Sequence, residues 1–569
     1  MDSQIRFSAI ILESDPGFWT KTSWLQLGYG FWVDLTYVAI GLAFGFPAVS
    51  IPQLNAEDSN IILTQMEQSW IASVLSLASP VGCIFCGFLL DRFGRRFAIV
   101  SCQIPMTVGW IYIGLAKKAL DIIIGRIITG VGCGMAMTGP QIYISEISLP
   151  NMRGLIGAFP GLALSIGIIM QASLGSFLEW RTLCLICSIY TIILLIADLW
   201  LPETPYFKLL KGTAENAKNS LKKFRAKGYN IDAEMEQLIE FKIDNNIRSL
   251  TLQEHFQALL MQSSCKPFSI VTMYMIILQS SGVSIVLMWT LDILQRSHSS
   301  VDAYLGNVIL GVSRLITGIV VSILLFKVGR KPLALTSGLG VGIGSLMAGG
   351  YLYYTNTVTV FPMVCYVIYI ISATLGYYTL PLLIMVELYP LQVRGILGGI
   401  SVSFVMFLMF VTTYSYPYVR DAIGFRNTIL TFGVCSLLGC IYMFFCLPET
   451  KDLTLQEIEE YYNKRRPTLT SQRKIMSIQL SRTLTRSDIY AGKSLEKQNF
   501  GDKSKKRIQG DKDLLSNKTK SEPKVTYADK DKYRDRKDDQ NNEAGTSNVD
   551  KKNGTEDKDK KEKDDVKKK

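Results

Sequence analysis

The sequence predicts an all-α membrane protein with twelve transmembrane helices in two six-helix halves, a helical loop between the halves and a long charged tail. Three observations predict it. Of the 569 residues, charged types make up 19% and hydrophobic types 48%, whereas a soluble domain carries about 25% charged residues. Twelve mostly apolar runs precede residue 450, each near the ~20 residues that a helix needs to cross a bilayer core. The polar motifs at the ends of those runs occur twice, in the same order.

Residues 1–26 precede the first run. The runs near 27–49, 68–90, 97–116, 120–145, 155–178 and 182–201 make a first half, 27–201. Those near 267–293, 302–326, 333–355, 359–386, 396–419 and 427–447 make a second, 267–447. Lipid offers no partner to a free backbone N–H or C=O, so each run is read as a helix. Between the halves, residues 202–266 alternate charged and apolar positions, as in Ala214 to Arg225 and Ile231 to Phe241, the pattern of short amphipathic helices. Residues 448–463 add another short helix with Glu457, Glu459 and Glu460.

The net charge of +12 belongs to the tail. Residues 1–463 balance at 29 basic and 29 acidic residues, and 464–569 hold 31 against 19. With 50 charged residues in 106 and no apolar periodicity, the tail is expected to stay disordered. A basic pI of this origin gives no reason to expect nucleic-acid binding. The run from Lys464 to Arg486 holds seven cations before any acid, which suits anionic lipid at about 1 kcal/mol per cation.

Cationic loops set the orientation. Placing both termini in the cytoplasm puts 21 Lys and Arg in inner segments and six in outer loops, so a plasma-membrane protein with both ends inside is expected. Residues 1–26 lack the basic, apolar and small-residue succession of a cleaved signal. The pairs Cys83/Cys86 and Cys184/Cys187 lie inside apolar runs with no carboxylate cluster beside them, so they are read as small hydrophobes, and no metal or cofactor is expected. Two histidines, His255 and His298, both in loops, exclude a histidine relay across the bundle.

The doubled motifs carry the functional reading. Asp91-Arg92-Phe93-Gly94-Arg95-Arg96 follows the second run, and Phe326-Lys327-Val328-Gly329-Arg330-Lys331 follows the eighth. Glu146 and Arg153-Gly154 follow the fourth, and Glu387 and Arg394-Gly395 the tenth. Pro202-Glu203-Thr204 follows the sixth, and Pro448-Glu449-Thr450 the twelfth. In these residues the chain resembles the sugar porter family of the major facilitator superfamily over about 27–462. Gly41 to Pro47 and Gln65 to Trp70 look most like the insect facilitated trehalose and hexose transporters.

The resemblance implies a carrier rather than an enzyme, working as a monomer, in which two bundles rock about a central sugar site. It also assigns Asp91, Arg92, Arg95, Arg96, Glu146, Arg153 and Glu203, with Arg330, Lys331, Glu387, Arg394 and Glu449, to clusters that gate the inner side. One exposed pair contributes at most about 1 kcal/mol, but a network broken together biases a two-state equilibrium. Phe326 stands where the acid matching Asp91 would be, so the second cluster is short by one member.

By the same resemblance the sugar contacts are eroded. The family's Gln-Gln-x-Ser-Gly-x-Asn reads Leu278-Gln279-Ser280-Ser281-Gly282-Val283-Ser284 here, leaving Gln279, Ser281, Gly282 and Ser284 as candidates. Gly161 stands for a glutamine on the fifth helix and Leu382 for a tryptophan on the tenth. Tyr377, Tyr378 and Gln171 are replacement candidates, each equally compatible with packing.

Two charges at membrane depth need an explanation. Arg314 falls at the middle of the eighth run, where the family usually has an amide, and Asp34 lies inside the first. Arg126 matches an arginine of the family, yet at 1.5 Å per residue it sits roughly 16 Å from Asp34 in depth. Arg314 is therefore the better partner for Asp34. The alternative is that Asp34 reaches the inner interface and Arg314 bonds carbonyls in a wet cavity. Pro47 occupies the place of the acid used by proton-coupled relatives, so facilitated diffusion is expected, with proton symport through Asp34 or a solute sensor signalling through the tail as alternatives.

Overall fold

The computed structural model describes residues 20–56, 61–149, 159–226, 259–355, 357–390 and 393–451, with parts of 229–239 and 453–462 and a few isolated positions. All fall in one compact unit, Met1–Ser481. Arg153, the basic segment 464–486 and the rest of the tail lie outside the described residues, as do the side chains of Phe326 and Arg394.

The first half is built from α1 (Lys21–Leu54), α2 (Gln65–Phe93), α3 (Arg95–Gly114), α4 (Ala119–Ile147), α5 (Phe159–Gly175) and α6 (Trp180–Asp198). Helix α1 starts six residues before the apolar run because Thr20 caps it, its hydroxyl accepting from the Ser23 N–H. Thr64 and Glu67 form a capping box that fixes the start of α2. The loop supplies α7 (Pro205–Lys211) and α8 (Ala214–Phe224), capped by Thr204 and Thr213. Phe224 packs with Val33 and Tyr143 under the first half, and Arg225 pairs with Glu234 while donating to the Ile147 carbonyl.

The second half comprises α9 (Gln262–Ser280), α10 (Val283–Met288), α11 (Thr290–Arg296), α12 (Ala303–Lys327), α13 (Arg330–Tyr354), α14 (Phe361–Leu375), α15 (Leu380–Leu388), α16 (Arg394–Ile423) and α17 (Phe425–Cys446). Among the described residues, ten stretches are long and apolar enough to span a membrane, α14 and α15 counting as one. The shorter α5 and the broken α9–α11 complete twelve crossings.

Two runs expected as continuous helices are broken. The seventh stops at Ser281 because Gly282 adopts φ +78°, a left-handed conformation that only glycine takes cheaply. A side chain there would also meet the Phe432 ring at 2.5 Å. The tenth breaks between Leu375 and Leu380, just before Pro381, which has no N–H to give the preceding turn. Across the halves α2 packs on α16 and α5 on α12, while α10 and α11 touch α1.

Candidate functional site

The broken seventh helix exposes backbone groups at mid-depth, and two tyrosines take them up. Tyr369 donates to the Ser281 carbonyl at 2.7 Å and Tyr378 to the Val283 carbonyl at 3.0 Å. Ser281 is fully buried and its hydroxyl is spent on the Ile277 carbonyl, so it shapes the break and presents no free hydroxyl. Ser284 is buried nearby. Gln279 lines a cavity of about 130 Å³ with Ser280, Thr412, Ser415 and Tyr416, and its Oε1 has no partner. The two positions where the expected contacts are missing are open: Gly161 has no atom within 4 Å of where a side chain would start, and Leu382 is half exposed.

Tyr377 and Tyr378, adjacent in sequence, go different ways. Tyr377 is completely buried, hydrogen-bonded to Ser436 at 3.0 Å and packed on Tyr274, which makes it core of the second half. Tyr378 lies 3.9 Å beneath the Arg314 guanidinium. Arg314, at the middle of α12, is 6% exposed and its Nη1 has no partner. Neither carboxylate oxygen of Asp34 has a partner, although the residue is 2% exposed. Of the two readings weighed for Asp34 and Arg314, the ion pair is therefore not made; the guanidinium lies on the Tyr378 ring.

Arg126 has a different environment. It donates from Nε to the Ile71 carbonyl at 3.0 Å and from Nη1 to the Ala43 carbonyl at 2.6 Å, and lies over the Phe46 ring. These bonds tie α4 to α1 and α2, which is a structural role. Gln171 is fully buried, with the Cys187 thiol against its Oε1 and no partner for Nε2. Sequence reasoning missed a second buried acid, Asp198, which accepts from Gln103 at 3.2 Å; Gln103 also donates to Thr36. The signal was a carboxylate closing an apolar run.

At the end that carries α7 and α8, the doubled motifs fold into two matching clusters. Arg95 donates to Glu146 at 2.7–3.1 Å, and the Thr204 hydroxyl to the same carboxylate at 2.6 Å. Glu203 receives the backbone N–H groups of Arg95 and Arg96, which begin α3. In the second half Arg330 pairs with Glu387 at 2.9 Å, Thr450 bonds Glu387, and Glu449 receives the N–H groups of Arg330 and Lys331, which begin α13. A carboxylate on a helix N-terminus satisfies orphan donors and the dipole together. Gly94 and Gly329 admit it, since a Cβ there would lie 2.4 and 2.3 Å from a carboxylate oxygen of Glu203 and Glu449. Burial pushes the Glu203 carboxyl above its usual range, and the three N–H donors around it pull the other way. Asp91 and Arg92 are exposed. Among the described residues, the bonds of Glu146, Glu203, Glu387 and Glu449 run to Arg95, Arg96, Thr204, Arg330, Lys331, Thr450 and Lys451.

The halves meet by polar and ring contacts at the opposite end. Gln65, opening α2, donates to Asp421 at 2.7 Å, and Trp70 packs on Phe410 and Tyr414 of α16. Behind Asp421 stands a network in which Arg420 bonds Asp421 and Asp292, and Arg296 and Tyr416 also donate to Asp292. Gln65 and Trp70 bound a segment singled out in the sequence for its resemblance, but the ring partners and the charged network around Asp292 were not.

A family model described as sugar (and other) transporter matches residues 30–462. The chain belongs to that family. Among curated relatives, this transporter-family chain is 29% identical over 442 residues to the facilitated trehalose transporter Tret1 of Bombyx mori, covering 77% of the chain and 86% of the relative. It is 28% identical over 443 residues to the protein of the same name in Drosophila virilis, covering 77% of the chain and 48% of the relative. The chain thus spans about half the length of the Drosophila virilis and Drosophila mojavensis relatives it matches. The inward open conformation of the xylose transporter XylE from E. coli superposes with a TM-score of 0.65 at 19% identity, covering 77% of this chain and 99% of that one. A crystal structure of a D-xylose-proton symporter gives 0.59 at 18%, covering 75% and 99%. These two establish the fold, a twelve-helix major facilitator architecture.

Proposed function

We propose that the protein carries a sugar-class solute across the plasma membrane by facilitated diffusion, residues 27–201 and 267–447 rocking as two bundles about a site between them. The family match over residues 30–462 carries this reading, and the relatives named facilitated trehalose transporters make trehalose and hexoses the first solutes to test. The cavity beside Gln279 and the openings at Gly161 and Leu382 suit a solute held near the broken seventh helix. The end with α7 and α8 is assigned to the cytoplasm, together with both termini, because the cationic segments gather there. On that assignment the contacts of Gln65 and Trp70 close the outer side, and the inner clusters part when the inner side opens. The working unit is a single chain in the bilayer, its basic 464–486 segment against anionic lipid.

Uptake of labelled trehalose, hexoses and polyols into vesicles holding the purified protein tests the proposal. Saturable uptake above empty vesicles is expected; its absence with folded protein refutes it. A second reading, proton symport, has one observation in its favour: Asp34 is buried with both oxygens unpartnered. A pH gradient separates the two, since a uniporter equilibrates sugar without accumulating it. Asp34→Asn should abolish pH-driven accumulation if Asp34 carries the proton.

A further inference from the structure

Resting on the carrier reading, we infer that Arg314 makes the central site selective for a hydroxylated monocarboxylate, a uronic or aldonic acid, over a neutral sugar. The two arginines at membrane depth differ in a way that separates a structural cation from a receptive one. Arg126 is fully buried, spends Nε and Nη1 on the Ile71 and Ala43 carbonyls and leaves only Nη2 without a partner, so two of its three nitrogens are held by the bundle. Arg314 is also buried, yet its Nη1 meets no acceptor and none of the ion pairs among the described residues includes it. Its contact is Tyr378, over whose ring it lies and whose side chain it hydrogen-bonds; a ring quadrupole attracts a cation and a neutral hydroxyl can accept from it, but neither cancels its charge. A buried guanidinium left so is costly unless an anion completes it.

Tyr378 joins the Arg314 contact to the Val283 carbonyl at the break in the seventh helix, with Gln279 one turn before it. Gln279, Thr412 and Ser415 line a cavity beside that break with groups able to bond hydroxyls. The positions that would grip a neutral hexose by resemblance, Leu278, Gly161 and Leu382, have lost their polar or aromatic side chains. Loss of neutral contacts and gain of a cation point to the same solute class. A planar carboxylate matches the two-pronged guanidinium and is neutralised by one of them. A phosphate ester, near two negative charges at pH 7, would leave one charge unmatched.

The test uses the full chain in proteoliposomes with labelled D-glucuronate, D-glucose and trehalose. Saturable D-glucuronate uptake at least tenfold preferred over D-glucose is expected, and it should respond to an imposed membrane potential because a monoanion carries charge. Arg314→Gln should reduce that preference at least tenfold, about 1.4 kcal/mol, and Arg314→Lys should keep part of it. Should Arg314→Gln fold poorly, wild-type thermal shifts decide: D-glucuronate raising the melting temperature at concentrations where D-glucose does not is the expected result. Neutral-sugar uptake that D-glucuronate neither joins nor inhibits overturns the assignment and leaves the carrier reading standing. Uptake of none of the three by folded protein overturns both.

Discussion

Gly282 shows how one residue sets the site. Its φ of +78° ends the first segment of the seventh span and frees the carbonyls that Tyr369 and Tyr378 hold. Gly282→Ala adds left-handed strain of about 1–3 kcal/mol and drives a methyl into the Phe432 ring. A lower melting temperature in detergent is expected, with Phe432→Ala restoring only the part due to the clash; unchanged melting would contradict the reading. At Asp34 and Arg314 the expectation is additivity. With no ion pair between them, Asp34→Asn and Arg314→Gln should show a coupling within about 0.5 kcal/mol in a double-mutant cycle, and a coupling above about 1 kcal/mol would mean that they pair. Both charges were legible in the sequence because each interrupts an apolar run. Their partners were not: a guanidinium over a ring leaves no charge pattern, and only packing decides that Tyr377 turns into the core while Tyr378 turns toward Arg314.

At the scale of elements, the doubled motifs were readable because every member sits at a helix end with fixed spacing from the next. What spacing could not tell is that Glu203 and Glu449 cap the helices that follow Gly94 and Gly329, or that Thr204 and Thr450 complete the Glu146 and Glu387 sites. Glu146→Gln and Glu387→Gln should each destabilise by about 1.5–3 kcal/mol. The first should cost more, because Arg95 and Glu146 are 9% and 13% exposed against 17% and 19% for Arg330 and Glu387. Denaturation of the two purified variants checks the order, and a larger loss for Glu387→Gln would reverse it. At the other end, Gln65→Ala combined with Trp70→Ala removes contacts that join the halves. A cysteine at Thr412 should then label faster with an impermeant maleimide added outside; no change would show that these contacts do not hold the outer side shut. That closure was invisible in the sequence, since Gln65 and Asp421 share no motif and lie 356 positions apart.

For the whole molecule, helix number and order were legible because a bilayer demands long apolar runs whatever the packing. The breaks in the seventh and tenth spans were not, because hydropathy averages over a glycine or a proline that geometry turns into a hinge. The family match ends at residue 462, so a chain ending at residue 463 should transport as the full chain does; uptake lost on truncation in a folded protein would give the tail a direct role in transport. The account's central claim is that this bundle moves a sugar-class solute through a site that opens alternately to each side. Counterflow measures that directly: proteoliposomes loaded with unlabelled trehalose, D-glucose or D-glucuronate are diluted into the labelled form of the same solute. At least one of the three should show a transient overshoot of label that protein-free liposomes lack, and flat label traces for all three with folded, correctly inserted protein would contradict it.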